Sequence, residues 1–190
     1  MEIENAGLYA SDRDIFMFLI DEDHQIEVGD ERLSRGFFVW NSEVGKSSFG
    51  LTTFLYRYVC GNHIVWDAQH INEVRNRHTI NAPSRAFAEM LPALRDYIES
   101  STSNETQTIK KAMAYRPAKN KDGIINWLQK NSFTKAISEK AFDYAMCEEG
   151  NGTILWNMVQ GISAMARDKK YVDARVDLER QAGRLLNILN

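Results

Sequence analysis

The chain has 190 residues, of which 44% are hydrophobic and 26% charged, enough for one domain with a buried core and too apolar for a disordered one. The early apolar run Ile15 to Ile20 is too short to span a bilayer, and no secretory pattern precedes it. Two cysteines, Cys60 and Cys147, lie far apart without a partner pattern, which excludes a disulfide framework and makes a reducing cytoplasm the expected setting.

The net charge of -3 conceals an asymmetry. Residues 1–45 hold 11 acidic against 3 basic side chains, residues 46–121 hold 6 against 11, and residues 122–190 hold 9 of each. A basic middle in an acidic chain is either the electrostatic footprint of a polyanion or ordinary scatter over a solvated surface.

In chain order, Asp14 to Ile20 is an apolar run bounded by acidic residues and predicts a strand. Asp21-Glu22-Asp23 predicts a polar turn, with His24 to Val28 as the returning arm of a hairpin and Gly29-Asp30-Glu31 as the next break. Arg35 to Trp40 and Ser47 to Cys60 are further strands, and Gly61-Asn62 is a tight turn into His63-Ile64-Val65-Trp66. These connections are too short for crossovers, so the expectation is an antiparallel meander of about five strands.

After Pro83 the apolar period changes to that of a helix: Phe87, Met90, Leu91, Leu94, Tyr97 and Ile98 form one stripe, which Pro92 should kink or divide. A short helix runs toward Tyr115, followed by the basic loop Arg116 to Asp122. Further helices are expected at Ile124 to Lys130, Thr134 to Glu149, Ile154 to Asp168 and Asp173 to Leu189, with Gly150-Asn151-Gly152 as a stop. Strands first and helices afterwards predict one α+β domain over 1–190, with strands mostly in 1–82 and, packed on them, a helical half in 83–190.

Chemical motifs are few. Gly45-Lys46-Ser47 lacks the first glycine of a phosphate loop, whose place is taken by Trp40, so that reading is rejected. Cys60 and His63 have a zinc-compatible spacing, but His70 and His78 extend it into no known ligand pattern, so no metal or other cofactor is expected. There is no nucleophile elbow, and the carboxylates at Glu148-Glu149 and Asp21 to Asp23 read as solvated ends of elements. Nothing positive marks an enzyme.

Alternation over Leu51 to Val59 puts Thr52, Phe54, Tyr56 and Tyr58 on one face and Leu51, Leu55 and Val59 on the other, with Arg57 among the apolar residues. A buried Arg57 needs a carboxylate or phosphate partner. The aromatic face is either a stacking platform for bases, with Arg75, Arg77, His78 and Arg85 holding the backbone, or a surface packed under helices. A second basic group, Lys110, Lys111, Arg116, Lys119 and Lys121, surrounds Tyr115. It reads as a phosphate grip or a solubilising loop.

The segments Gly36-Phe37-Phe38-Val39-Trp40-Asn41-Ser42-Glu43-Val44-Gly45, Leu55 to Asn62 and Arg77-His78 resemble the phage/plasmid-like proteins catalogued as a domain of unknown function, over roughly residues 7–100 and more loosely around Trp156-Asn157. The resemblance implies residence on a mobile element, either a short member or the C-terminal portion of a longer family architecture, and family-motif positions at Asn41, Glu43, Arg57, Asn62, Arg77 and His78. It implies no established activity. The leading expectation is a non-enzymatic nucleic-acid-binding protein, acting on single strands in replication or recombination. Its alternatives are a protein-interaction module for a host or phage protein, a homo-oligomer among them, and a metal-dependent hydrolase.

Overall fold

The computed structural model describes residues 8–10, 14–42, 49–58, 60–66, 74–77 and 81–189. Among them lie six strands, β1 (Leu8–Ala10), β2 (Asp14–Val28), β3 (Glu31–Ser42), β4 (Phe49–Arg57), β5 (Asn62–Ile64) and β6 (Val74–Asn76). Six helices follow: α1 (Ala82–Glu99), α2 (Ser103–Ala114), α3 (Lys121–Lys130), α4 (Lys135–Glu149), α5 (Leu155–Arg167) and α6 (Val172–Leu186). A short 3-10 turn, Asn187–Leu189, ends the described chain. The fold is α+β, an antiparallel sheet ordered β1-β2-β3-β4-β5, with β6 on the same edge of β4 as β5.

The expected turn at Asp21-Glu22-Asp23 is corrected: β2 is one strand whose two halves both pair with β3. Ile20 opposes Gly36 and Gln25 opposes Ser34, so residues 21–24 bulge out across from Arg35 alone. The Asp21 carboxylate accepts from the Asp23 amide at 3.1 Å, and this local turn absorbs the extra residues. Apolar alternation then resumes at Ile26 and Val28, both buried, and the true hairpin turns at Gly29-Asp30. Pro92 does not divide α1 either. Pro92 and Ala88 both lie on the exposed side, where the carbonyl that lacks its usual donor can meet water.

One sheet face presents Ile26, Leu33, Leu55 and Ile64 to the helices. The main core lies there, centred on α5, which is buried at nearly every position from Leu155 to Ala166, Trp156 included. Each large side chain so buried is worth about 2–3 kcal/mol. α1 covers the far end of the same face, where Met90 and Tyr97 pack on Phe37 and Leu51. Only part of its predicted stripe reaches the sheet: Leu91 and Ile98 are 59% and 41% exposed, and the Phe87 side chain lies outside the described residues.

Arg35 holds this arrangement together. It occupies a core-facing position between Leu33 and Phe37 and is buried. It donates to the carbonyls of Tyr97, Ser100 and Ser101 at 2.7, 2.8 and 2.9 Å, and its Nε donates to Glu105 at 2.8 Å. One guanidinium thereby satisfies carbonyls at the end of α1 and joins β3 to α2 through a buried ion pair.

α6 lies along β5. At Gly183 a Cβ would stand 2.1 Å from the Val65 carbonyl oxygen, so only a bare Cα lets the helix approach this closely.

Candidate functional site

Arg57 is the sequence candidate whose surroundings are best defined, and it is not on the surface. β4 ends at Arg57 and β3 begins at Glu31, and pairing of the two strands brings them together on the helix-facing side. The guanidinium donates to both oxygens of Glu31, at 2.5 and 2.6 Å, and to the Glu149 carboxylate at the end of α4. The Trp156 indole donates to Glu31 at 3.0 Å, completing the clamp. Burial opposes the charge on Arg57, but the hydrogen bonds and charges of Glu31 and Glu149 outweigh it and hold its pKa above the ordinary arginine value. A guanidinium enclosed by two carboxylates cannot take a phosphate, so Arg57 is a structural cation. Glu149, expected at a solvated helix end, is its internal partner, and Glu148 pairs with Arg167.

The aromatic face is also closed. Phe18, Phe38, Trp40 and Phe54 are buried in a cluster that includes Val176 of α6, and the Arg180 guanidinium lies 5.0 Å from the Trp40 ring centroid. His63 stacks on Phe18 at 4.4 Å. Its Nδ1 is 3.1 Å from Arg175 and 3.7 Å from Glu179, whose second oxygen has no partner among the described residues. Burial, then the Arg175 charge, lowers the His63 pKa to about 3. Burial pushes Glu179 up to about 7, partly offset by Arg175. The imidazole faces a cation, which is no setting for a metal ligand. Among the described residues no group of three or more His, Cys, Asp or Glu side chains is placed to hold a metal ion.

Asn62 is buried and donates to the Gln160 side chain at 2.9 Å, tying β5 to α5. Asn41 lies in β3 opposite Ile15, while Glu43 and His78 fall outside the described residues. Arg75 sits in β6 opposite Gly50, and its side chain is not among those described. Arg77 and Arg85 are exposed. Arg57 is buried, so the exposed Arg77 and Arg85 do not share its surroundings.

The second basic group does form a continuous stretch. Residues 106–121 contain Lys110, Lys111, Arg116, Lys119 and Lys121 and no acidic residue, and all five cations are exposed. They run from the end of α2 across the loop to the start of α3, where Asn120 caps the helix by accepting from the Gly123 amide at 2.9 Å. The loop is fixed from behind: Leu155 N–H donates to the Tyr115 carbonyl at 2.9 Å and Arg116 donates to Thr153 at 3.2 Å. Lys121 pairs with Asp143 at 2.6 Å, and Lys111 donates to the Leu189 carbonyl at 3.3 Å. Tyr115, 38% exposed, sits in the middle of the stretch.

Sequence reasoning missed Arg35 and the Arg175–Glu179 pair. Arg35 carried a signal, a charge at a core-facing place in an alternating strand. Glu179 carried none, because its helix position is one that solvated glutamates also occupy.

A helix-backed antiparallel sheet with buried ion pairs and an exposed basic ridge defines an α+β protein. The chain belongs to the family described as Domain of unknown function (DUF932), which matches residues 1–167. α6, with Arg175, Glu179, Arg180 and Arg184, follows the matched span. No curated protein and no solved structure matches the chain. No helix among the described residues is long and apolar enough to cross a membrane.

Proposed function

We propose that the protein is a non-enzymatic nucleic-acid-binding protein of a phage, prophage or plasmid, working in the cytoplasm, and that it grips its ligand along the α2–α3 ridge. The observation that carries this reading is the run of five exposed cations without an acid between Lys110 and Lys121. Such a run holds phosphates as point charges and supplies no base readout, so binding is expected to be insensitive to sequence. The exposed Tyr115 ring offers one stacking surface, which favours single strands over duplex. The resemblance to phage/plasmid-like proteins supports the mobile-element setting.

Fluorescence anisotropy with single-stranded and duplex oligonucleotides over a salt series tests the reading. About four phosphate contacts predict a log–log salt slope near -3 on a single strand. Lys110→Glu/Lys119→Glu should abolish binding while the fold, followed by circular dichroism, is unchanged. No binding by the wild type at about 50 mM salt, where counterion release favours association, would refute the proposal.

A second reading, a protein-interaction module, is favoured by Leu91 and Ile98, exposed together with Pro92 on the outer side of α1. Leu91→Asp/Ile98→Asp separates the two, since it should leave oligonucleotide binding intact and abolish only a protein contact.

A further inference from the structure

Of the six methionines among the described residues, Met90, Met158 and Met165 are buried, Met17 and Met113 are half-buried, and Met146 is 44% exposed. Met146 lies in the last turn of α4, and its Sδ accepts from the Gly152 N–H at 3.1 Å. Gly152 is buried, so its amide meets this sulfur and not bulk water. A thioether is a weak acceptor, and an accessible one is open to oxidation.

The turn that follows α4 backs the basic ridge. Asn151 Oδ1 accepts from the Thr153 N–H and hydroxyl, both at 2.8 Å, and the Thr153 oxygen accepts from Arg116 at 3.2 Å. Two residues on, Leu155 N–H donates to the Tyr115 carbonyl at 2.9 Å. The other side of the turn has no room to give. Glu148 pairs with Arg167 and Glu149 with Arg57, and a Cβ at Gly152 would stand 2.7 Å from the Phe142 ring. A displaced Gly152 therefore pushes toward Thr153 and Arg116, not back into α4.

From this arrangement we propose that Met146 is an oxidation site whose sulfoxide loosens the backing of the basic ridge and weakens the grip of the ridge on its ligand. The oxidant is a peroxide. The sulfur gives up two electrons, an S–O bond forms as the peroxide O–O bond breaks, and water leaves. The product is polar and pyramidal where the thioether was apolar. Its oxygen either stands in the space between sulfur and the Gly152 amide or points away and leaves that amide without the lone pair it met before. Both outcomes shift the turn. That the ligand is a nucleic acid rests on the reading above, whereas the oxidation and its effect on the turn do not.

The test uses the chain with Cys60→Ser and Cys147→Ser, so that thiol oxidation adds nothing to the readout. Limited hydrogen peroxide, followed by peptide mass spectrometry, should oxidise Met146 before the five less exposed methionines. In the oxidised chain, amide exchange at Gly152 and Leu155 should quicken by about tenfold, the equilibrium worth of one hydrogen bond. A methionine sulfoxide reductase should reverse the change, and Met146→Leu should not respond to peroxide. Earlier oxidation of any of the five, exchange unchanged by oxidation, or an equal response in Met146→Leu overturns the site. Fluorescence anisotropy with oligothymidylate then reads the ridge, where oxidation should raise Kd severalfold. Quickened exchange with an unchanged Kd overturns the link to the ridge. Absence of binding before oxidation overturns the nucleic-acid reading and leaves the oxidation site in place.

Discussion

Replacing Glu179 by Gln should reveal how the buried trio on β5 and α6 shares a single proton. In the folded chain the Glu179 carboxyl titrates at about 7 instead of 4.5, and the His63 imidazole at about 3 instead of 6.5. Between pH 4.5 and 6.5 the unfolded chain carries one proton on His63, and the folded chain carries one on Glu179. The two states bind equal numbers, so the pair adds no slope to stability in that window. Folding moves the proton from imidazole to carboxyl and leaves both groups neutral beside Arg175. In Glu179→Gln only His63 titrates, still depressed by burial and by Arg175. Its stabilising effect is complete above pH 6.5 and is lost as the pH falls toward 3, at about 1.4 kcal/mol per pH unit. Between pH 6.5 and about pH 5 the variant should therefore lose about 2 kcal/mol that the wild-type pair does not lose. Urea unfolding followed by tryptophan fluorescence, at several pH values across this range and with m-values checked for constancy, measures the difference. If the gap between wild type and variant is the same at both ends of the range, the shared proton does not exist.

Arg57→Met removes the cation between Glu31 and Glu149 and should cost about 3–5 kcal/mol in urea unfolding, because two carboxylates are left facing each other. A loss below about 1 kcal/mol would mean that the clamp does not hold α4 to the sheet. Gly183→Ala places a methyl 2.1 Å from the Val65 carbonyl and should lower the thermal midpoint, by an amount equivalent to about 2 kcal/mol or more. An unchanged midpoint would show that α6 is not seated on β5 as described. Arg35→Lys keeps the charge but not the planar fork that reaches Glu105 and three carbonyls. Amide exchange should rise at the end of α1 and the start of α2 while α5 stays protected; uniform protection throughout would refute that linkage.

The α+β class and most helix positions were legible because a change of apolar period from two to 3.6 is written directly in the residues after Pro83. Gly150 ended α4 as expected, in a left-handed conformation with φ of +70°. The polar triplet at Asp21 to Asp23 misled because three acidic residues suit a turn and a bulge equally; only the partner strand, with Leu33 opposite Ile26, decides between them. β6 was invisible because Val74–Asn76 is too short to show alternation. The site was less legible than the fold for a related reason. Arg57 needed a partner, as its position implied, but Glu149 is 92 residues away and nothing local designates it. The basic ridge could be read because its charges are contiguous in sequence.

The distribution of strand lengths bears on self-assembly. β3, with 12 residues, is paired along both sides, whereas β1 covers only Ile15 to Met17 of the 15-residue β2, and β5 and β6, with three residues each, form the border beside β4. α6 lies against β5 through Gly183 and further shields that border. No described strand pairs with the outer edge of β2 from Phe18 to Val28, and the bulge at residues 21–24 breaks the regular row of backbone donors and acceptors that an added strand would need. The outer side of α1, with Leu91 and Ile98, is a second place where association of copies would bury apolar surface.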